Sequence, residues 1–121
     1  MFGKIKIRPA DAYFSKALRK KRGYRCEYCG RQYQEGERNF GVSHYWGRRH
    51  ENTRYDEKNC DVLCNMPCHQ FFEENPSAYH EWKIKKLGKK EYAKLKLSAQ
   101  LYCKRDDKLI MLYLKKIYEN N

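Results

Sequence analysis

The stretch NCDVLCNMPCHQFF, Asn59 to Phe72, packs three cysteines, a histidine and a proline into fourteen residues. Its first part, CDVLC, reads as a short strand. Pro67 suits the first turn of a helix, where its missing N–H has no partner to lose. Asn75 and Pro76 end that helix at about Glu74. The stretch is therefore a strand that runs into a helix, with sulfur at the junction.

Working outward, NFGVSHYW (Asn39–Trp46) supplies a partner strand through Phe40, Val42 and Tyr45, and ENTRYDEKN (Glu51–Asn59) reads as the connection of a long-looped hairpin. Upstream, Pro9, Ala10 and Asp11 introduce a helix in which Tyr13, Phe14, Ala17 and Leu18 fall at helical spacing, stopped by Gly23. Downstream, Asn75 caps a helix that begins at Pro76 and continues through SAYHEWKIKKL to Gly88. KKEYAKLKLSAQLYC and DDKLIMLYLKKIYEN then read as two more helices. Their stripes, Tyr92, Leu95, Ala99 and Tyr102, then Leu109, Leu112, Tyr113 and Ile117, are expected to be core or a dimer seam.

A chain of 121 residues makes one domain, short enough that a metal staple matters. Its 27 basic and 15 acidic side chains leave +12, a balance whose usual partner is a polyanion, nucleic acid first. Residues 1–25 carry nine Lys/Arg against one acid and residues 76–121 twelve against five, while residues 26–75 carry six against nine. The expected layout is a basic N-terminal helix (1–25), a central module (26–75) and a basic helical extension (76–121). The basic ends would hold phosphates and the acidic centre cations; solvated helix faces are the plainer alternative. Neither a signal peptide nor a membrane span is expected. A reducing cytoplasm follows, where six cysteines are metal ligands sooner than disulfides.

Cys26 and Cys29 form C-x-x-C followed by Gly30, a turn that grips one zinc while the glycine takes φ > 0 and lets N–H groups point at sulfur. Cys64 and Cys68 are favoured to complete a closed four-thiolate site, since Cys68 opens a helix whose N-terminus favours a thiolate. Cys60, on the strand, is the ranked alternative. Cys103 is expected to be a small buried apolar residue in an amphipathic helix.

RCEYCG, SHYWGRRHENTRYDEKN and LCNMPCH, in that order, resemble the zinc-bearing HNH (ββα-metal) nucleases. The order is a cysteine pair, a histidine ending a first strand, an asparagine before the second, then a cysteine pair running into a histidine on a helix. More narrowly, HYWGRRHENTRYDEKN with AYHEWKIKKLG resembles phage recombination proteins of the NinG/Rap type. The resemblance covers about Cys26 to Gly88. It implies an α+β fold with a zinc-stapled ββα-metal core flanked by basic helices, and a metal-dependent DNA endonuclease acting on recombining or branched DNA of a phage or prophage. By it, His44 is the general base that deprotonates the attacking water. Asn59 would bond a backbone carbonyl and fix the ring of His44. His69 would ligate a catalytic Mg²⁺ or Mn²⁺ beside the structural Zn²⁺ of Cys26, Cys29, Cys64 and Cys68.

Two positions depart from the family. Many members carry Asp directly before the base histidine as a metal ligand, where this chain has Ser43. Glu73, one turn after His69, is the expected replacement, with His50 and Asp56 as further candidates. The second departure is Cys64-x-x-x-Cys68, one residue longer than the usual pair, which a late helix start at Pro67 would absorb. His80 lies outside the motif and reads as packing or surface. Phosphate contacts are expected from Arg19, Lys20, Lys21, Arg22, Arg48, Arg49, Lys85 and Lys86. The rival from another class is a non-catalytic zinc nucleic-acid-binding module. A homodimer through the C-terminal helices fits either reading.

Overall fold

In a computed structural model two five-residue strands, β1 (Phe40–His44) and β2 (Cys60–Cys64), pair antiparallel with Phe40 opposite Cys64 and His44 opposite Cys60. The structure describes residues 6–119. Residues 1–5, with Lys4 of the basic N-terminal segment, and residues 120 and 121 of the helical extension lie outside the described residues. All five residues of β2 are buried, because both its faces and its free edge are covered. The edge is closed by the Cys26–Cys29 turn: Glu27 N–H donates to the Val62 carbonyl at 2.8 Å, and Val62 N–H donates to Glu27 Oε2 at 2.5 Å.

Helix α1 (Pro9–Lys21) starts with proline in its first turn, and Asp11 accepts from Arg8 N–H at 2.7 Å, which satisfies the helix entry. Phe14 and Leu18 are its buried anchors, and the Phe14 ring lies 6.4 Å from that of His44. Asp11 also accepts from Arg54 Nε at 2.9 Å and its NH2 at 2.5 Å, which ties α1 to the hairpin connection. Burial alone would raise the Asp11 carboxyl; Arg54 and Arg8 N–H instead hold it at about 2.

After β2 the chain makes a wide helical turn, Asn65–His69, and enters α2 (Gln70–Glu74). Met66 is extended (φ −127, ψ 126) and so takes up the extra residue between Cys64 and Cys68, as the placement of Pro67 suggests. Helix α3 (Pro76–Leu87) ends at Gly88, whose φ of +86 lets α4 (Lys89–Gln100) fold back beside it. Stacked rings at 4.4 Å join Phe72 of α2 to Tyr79 of α3. Helix α5 (Asp107–Glu119) packs on α1.

The C-terminal helices differ from the sequence reading. Helix α4 stops at Gln100, so Tyr102 stands 91% exposed in the connection to α5, and Cys103 lies there too, half-buried and outside any helix. On α5 the inward side is Leu114 with Ile110, Met111 and Tyr118, while Leu109, Leu112 and Tyr113 face outward. Residues 109 to 114 are apolar all round the helix, so periodicity could not choose a face; α1 did. No described helix is long and apolar enough to cross a membrane.

Candidate metal centre and active site

Residues 24–33 fold into a tight knuckle: Tyr33 N–H donates to the Tyr24 carbonyl at 2.7 Å, Cys26 N–H to Arg31 at 2.9 Å and Gly30 N–H to Cys26 at 2.9 Å. Gly30 has φ +80, the left-handed turn the C-x-x-C-G spacing requires. The knuckle brings Cys26 and Cys29 to Cys64 and Cys68, with all four sulfurs within 4.8 Å of one another. A tetrahedral zinc with sulfur at ~2.3 Å has sulfur–sulfur edges of ~3.8 Å, so the thiols stand where closing onto one ion takes less than an ångström. The donor set fits a structural metal such as zinc. Burial opposes ionisation of Cys26, yet backbone N–H groups of Cys29, Cys64 and Tyr28 bring it down to about 7. Among the described residues no other three metal-capable side chains gather in this way. Cys60 is outside the cluster, opposite His44, and burial pushes its thiol up.

On the far side of the same strand-to-helix junction lies a cleft of about 380 Å³. One wall is Ser43 to Trp46 at the end of β1; the other is His69, Phe72 and Glu73, closed by Pro76 and Tyr79 of α3. His69 directly follows Cys68, so the thiol centre fixes where its ring begins. Its Nε2 lies 3.6 Å from Glu73 Oε1, one turn on. Of the candidates to accompany His69, only Glu73 lines this cleft. His50 Nδ1 faces the Ala99 carbonyl at 2.9 Å, and Asp56 accepts from Lys58 N–H at 2.9 Å; neither lies in the cleft wall.

His44 loses basicity to burial first and then to the charge of Arg48, which together pull it down to about 4. Its Nε2 is buried without a hydrogen-bond partner among the described residues. Asn59 is fully buried but acts on backbone, not on the ring. Trp46 N–H donates to its Oδ1 at 2.8 Å, and its Nδ2 donates to the carbonyls of Trp46 at 2.9 Å and Thr53 at 3.1 Å. Tyr45 N–H adds a bond to the Asn59 carbonyl at 2.9 Å. The chain immediately after His44 is thus pinned, while the ring itself bonds to the Arg54 backbone.

Ser43 is buried, with its Oγ 3.0 Å from Tyr79 Oη. Tyr79 has one proton and a carboxylate oxygen of Asp61 at 2.6 Å, the stronger acceptor, so Ser43 donates to Tyr79. Asp61, opposite Ser43 on β2, also accepts from Lys83 Nζ at 2.8 Å and Lys86 Nζ at 2.5 Å. Sequence reasoning missed this buried group, although an aspartate inside CDVLC was its signal. His80 is packing of the expected kind: its Nδ1 lies 3.0 Å from the hydroxyls of both Tyr45 and Tyr92.

The basic residues divide. Arg22 is a structural clamp whose NH1 donates to Glu27 at 2.9 Å and the Cys60 carbonyl at 2.7 Å, and whose NH2 donates to the Glu57 carbonyl at 2.8 Å. Lys86 is likewise held by Asp61 and by Glu27 at 2.6 Å. Both are engaged in internal ion pairs, Arg22 through three of its five N–H donors and Lys86 through two of its three. Lys21 pairs with Glu57 at 3.0 Å and Arg19 Nε donates to the Ser15 carbonyl at 3.1 Å; Arg48 stands 4.0 Å from Asp11, and Lys20, Arg49 and Lys85 are exposed. No protein-family model, curated protein or solved structure matches the chain.

Proposed function

We propose that this chain is a metal-dependent DNA endonuclease of the HNH type that hydrolyses phosphodiester bonds, with recombining or branched DNA of a phage or prophage as its substrate. The observation that carries the reading is the meeting of His44, His69 and Glu73 in one cleft, backed by four clustered thiols. His44, neutral above about pH 4, takes the proton of the attacking water. Asn59 keeps the strand end that bears it from swinging. His69 and Glu73 present an imidazole nitrogen and a carboxylate oxygen 3.6 Å apart, a pair that would hold one divalent cation. Mg²⁺ or Mn²⁺ held by them would supply positive charge against the negative charge that develops on the phosphoryl group and the leaving oxygen. Lys20 and Lys85 are exposed cations offered to flanking phosphates.

A second reading, a non-catalytic zinc nucleic-acid-binding module, is favoured by one observation. Ser43 stands where the resembled family often has a ligating aspartate, and its hydroxyl is committed to Tyr79. Supercoiled plasmid incubated with Mg²⁺ or Mn²⁺ separates the two. Nicking that disappears in His44→Ala supports the nuclease; DNA binding without nicking in either metal assigns the module.

A further inference from the structure

Four rings at the cleft form a continuous row. Trp46 meets Tyr45 edge-on at 5.3 Å, Tyr45 meets Tyr79 edge-on at 5.0 Å, and Tyr79 stacks on Phe72 at 4.4 Å. All four line the same space of about 380 Å³, which His69 and Glu73 border on its α2 side. Phe72 is core, 2% exposed, but Tyr45, Trp46 and Tyr79 are only half-buried. An ion and a phosphate are held by polar donors and by charge. Rings in a cleft wall suit a ligand with a flat face.

The polar edge of the row is unfinished at one end. The Tyr45 hydroxyl is engaged by Tyr92 at 2.8 Å and His80 at 3.0 Å, and that of Tyr79 by Asp61 at 2.6 Å and Ser43 at 3.0 Å. Trp46 Nε1 is buried without a hydrogen-bond partner among the described residues. An indole N–H only donates, so what it lacks is an acceptor. The mechanism above uses His44 Nε2 and leaves Trp46 Nε1 idle. We infer that the cleft seats an unpaired base of the nucleotide at the scissile phosphate, its face against Tyr45 and Trp46 and an acceptor on its edge toward Trp46 Nε1. The inference rests on the reading of the cleft as the place where DNA binds, and it names the class of DNA: a strand with at least one unpaired nucleotide at the cut. A paired base has both faces covered by its neighbours and shows only its edges in the grooves, so it offers the row nothing flat. An unpaired base can be turned out of the strand and stacked. Because sugar joins base to phosphate within one nucleotide, a base on the row brings its own phosphate toward His69 and Glu73. Every base has a flat face, so the seat selects strand structure and not sequence.

Binding is measured first, on the zinc-loaded full chain with no Mg²⁺ or Mn²⁺ added, so that nothing is cut. The probe is 2-aminopurine in a short DNA duplex, either paired or as a single unpaired nucleotide. The unpaired probe should lose fluorescence when the protein binds, as its ring stacks, and the paired probe should not. The duplex with the unpaired nucleotide should bind about tenfold more tightly, in line with one base stacked on an aromatic side chain. Trp46→Ala should abolish that preference while leaving affinity for the paired duplex unchanged. Trp46→Phe, which keeps a ring and loses the donor, should retain part of it. If Trp46→Ala loses its zinc or its helical circular dichroism spectrum, the wild-type comparison of the two duplexes decides alone. Equal affinity for both duplexes, or an unpaired probe whose fluorescence does not change in the complex, overturns the inference. Adding Mg²⁺ or Mn²⁺ then scores the nuclease reading separately. Equal cutting of both duplexes keeps the nuclease and removes the seat, whereas a stacked base with no cutting in either metal keeps the seat and removes the nuclease.

Discussion

The thiol cluster and the cleft share one strand-to-helix junction, joined at Cys68 and His69, yet they are built by opposite rules. The cluster takes four like donors from two short motifs and closes around them, with Cys26, Cys64 and Cys68 buried and Cys29 at its rim. The cleft takes unlike groups from three elements and leaves them open: the His69 and Glu73 side chains are 36% and 67% exposed. A closed set of ligands puts metal affinity into folding, while an open set keeps positions for a reactant. In the proposed function the first would hold the junction in place and the second would receive the reactant.

The largest expected effect breaks the first half of that contrast. Metal affinity in a small closed site is folding free energy, so chelation or Cys26→Ser should unfold the central module, seen as loss of its cooperative thermal transition. Cys60→Ser and Cys103→Ser should keep their metal. Elemental analysis finding less than about half an equivalent of zinc in gently purified protein would remove the four-thiolate site.

Next in size is the proposed role of His44 as the cleft's base. His44→Ala should leave metal content and DNA affinity nearly intact while lowering the cleavage rate by about 10²-fold or more. The pH dependence is distinctive. Because burial and Arg48 hold His44 at about 4, kcat/KM should keep its acid limb near that value and not near 6.5. A bound phosphodiester places negative charge nearby and favours imidazolium, so the limb in kcat should lie higher. Linkage gives a stability signature of the same sign. A histidine with a depressed folded value contributes stability that is fully present above about 6.5 and is lost as pH falls toward about 4, a loss that His44→Gln should abolish. A wild-type rate in His44→Ala would refute its role.

Smaller still is the effect on metal demand. His69→Ala and Glu73→Gln should each raise the Mg²⁺ needed for half-maximal cleavage by at least about tenfold while zinc stays bound. The two should be partly redundant in the double variant, since they would serve one ion. His50→Ala should not share that phenotype, as its ring is occupied by α4.

Both centres were legible in sequence to the extent that their parts are local. Cysteine spacing, the glycine after Cys29 and the i, i+4 pair His69–Glu73 specify geometry over a few residues, so little outside could alter them. What depended on distant packing was not legible. Lys83 and Asp61 are twenty-two residues apart and meet only because α3 lies across β2. Arg22 within RKKR looks like its neighbours until Glu27 and two carbonyls claim it. The run of apolar residues at the start of α5 hid which side faces α1. Charge and apolarity are visible in a sequence, but direction is settled by neighbours.

The smallest expected effect concerns how DNA would be held under the proposed function, and it follows from that division of the basic residues. Each cation that neutralises a phosphate contributes nearly one unit to the slope of log K against log[salt] on duplex DNA. Lys20→Ala with Lys85→Ala removes two exposed charges and should flatten that slope by about one to two units, whatever the DNA sequence, because phosphate contacts carry no base information. Arg22→Ala and Lys86→Ala should behave otherwise. Their donors serve Glu27, Asp61 and backbone carbonyls, so removing either takes away internal ion pairs and hydrogen bonds and should lower thermal stability while leaving the slope unchanged. An equal flattening in all four variants would mean that Arg22 and Lys86 leave their internal partners when DNA arrives, and the separation of structural from phosphate-binding cations would fall.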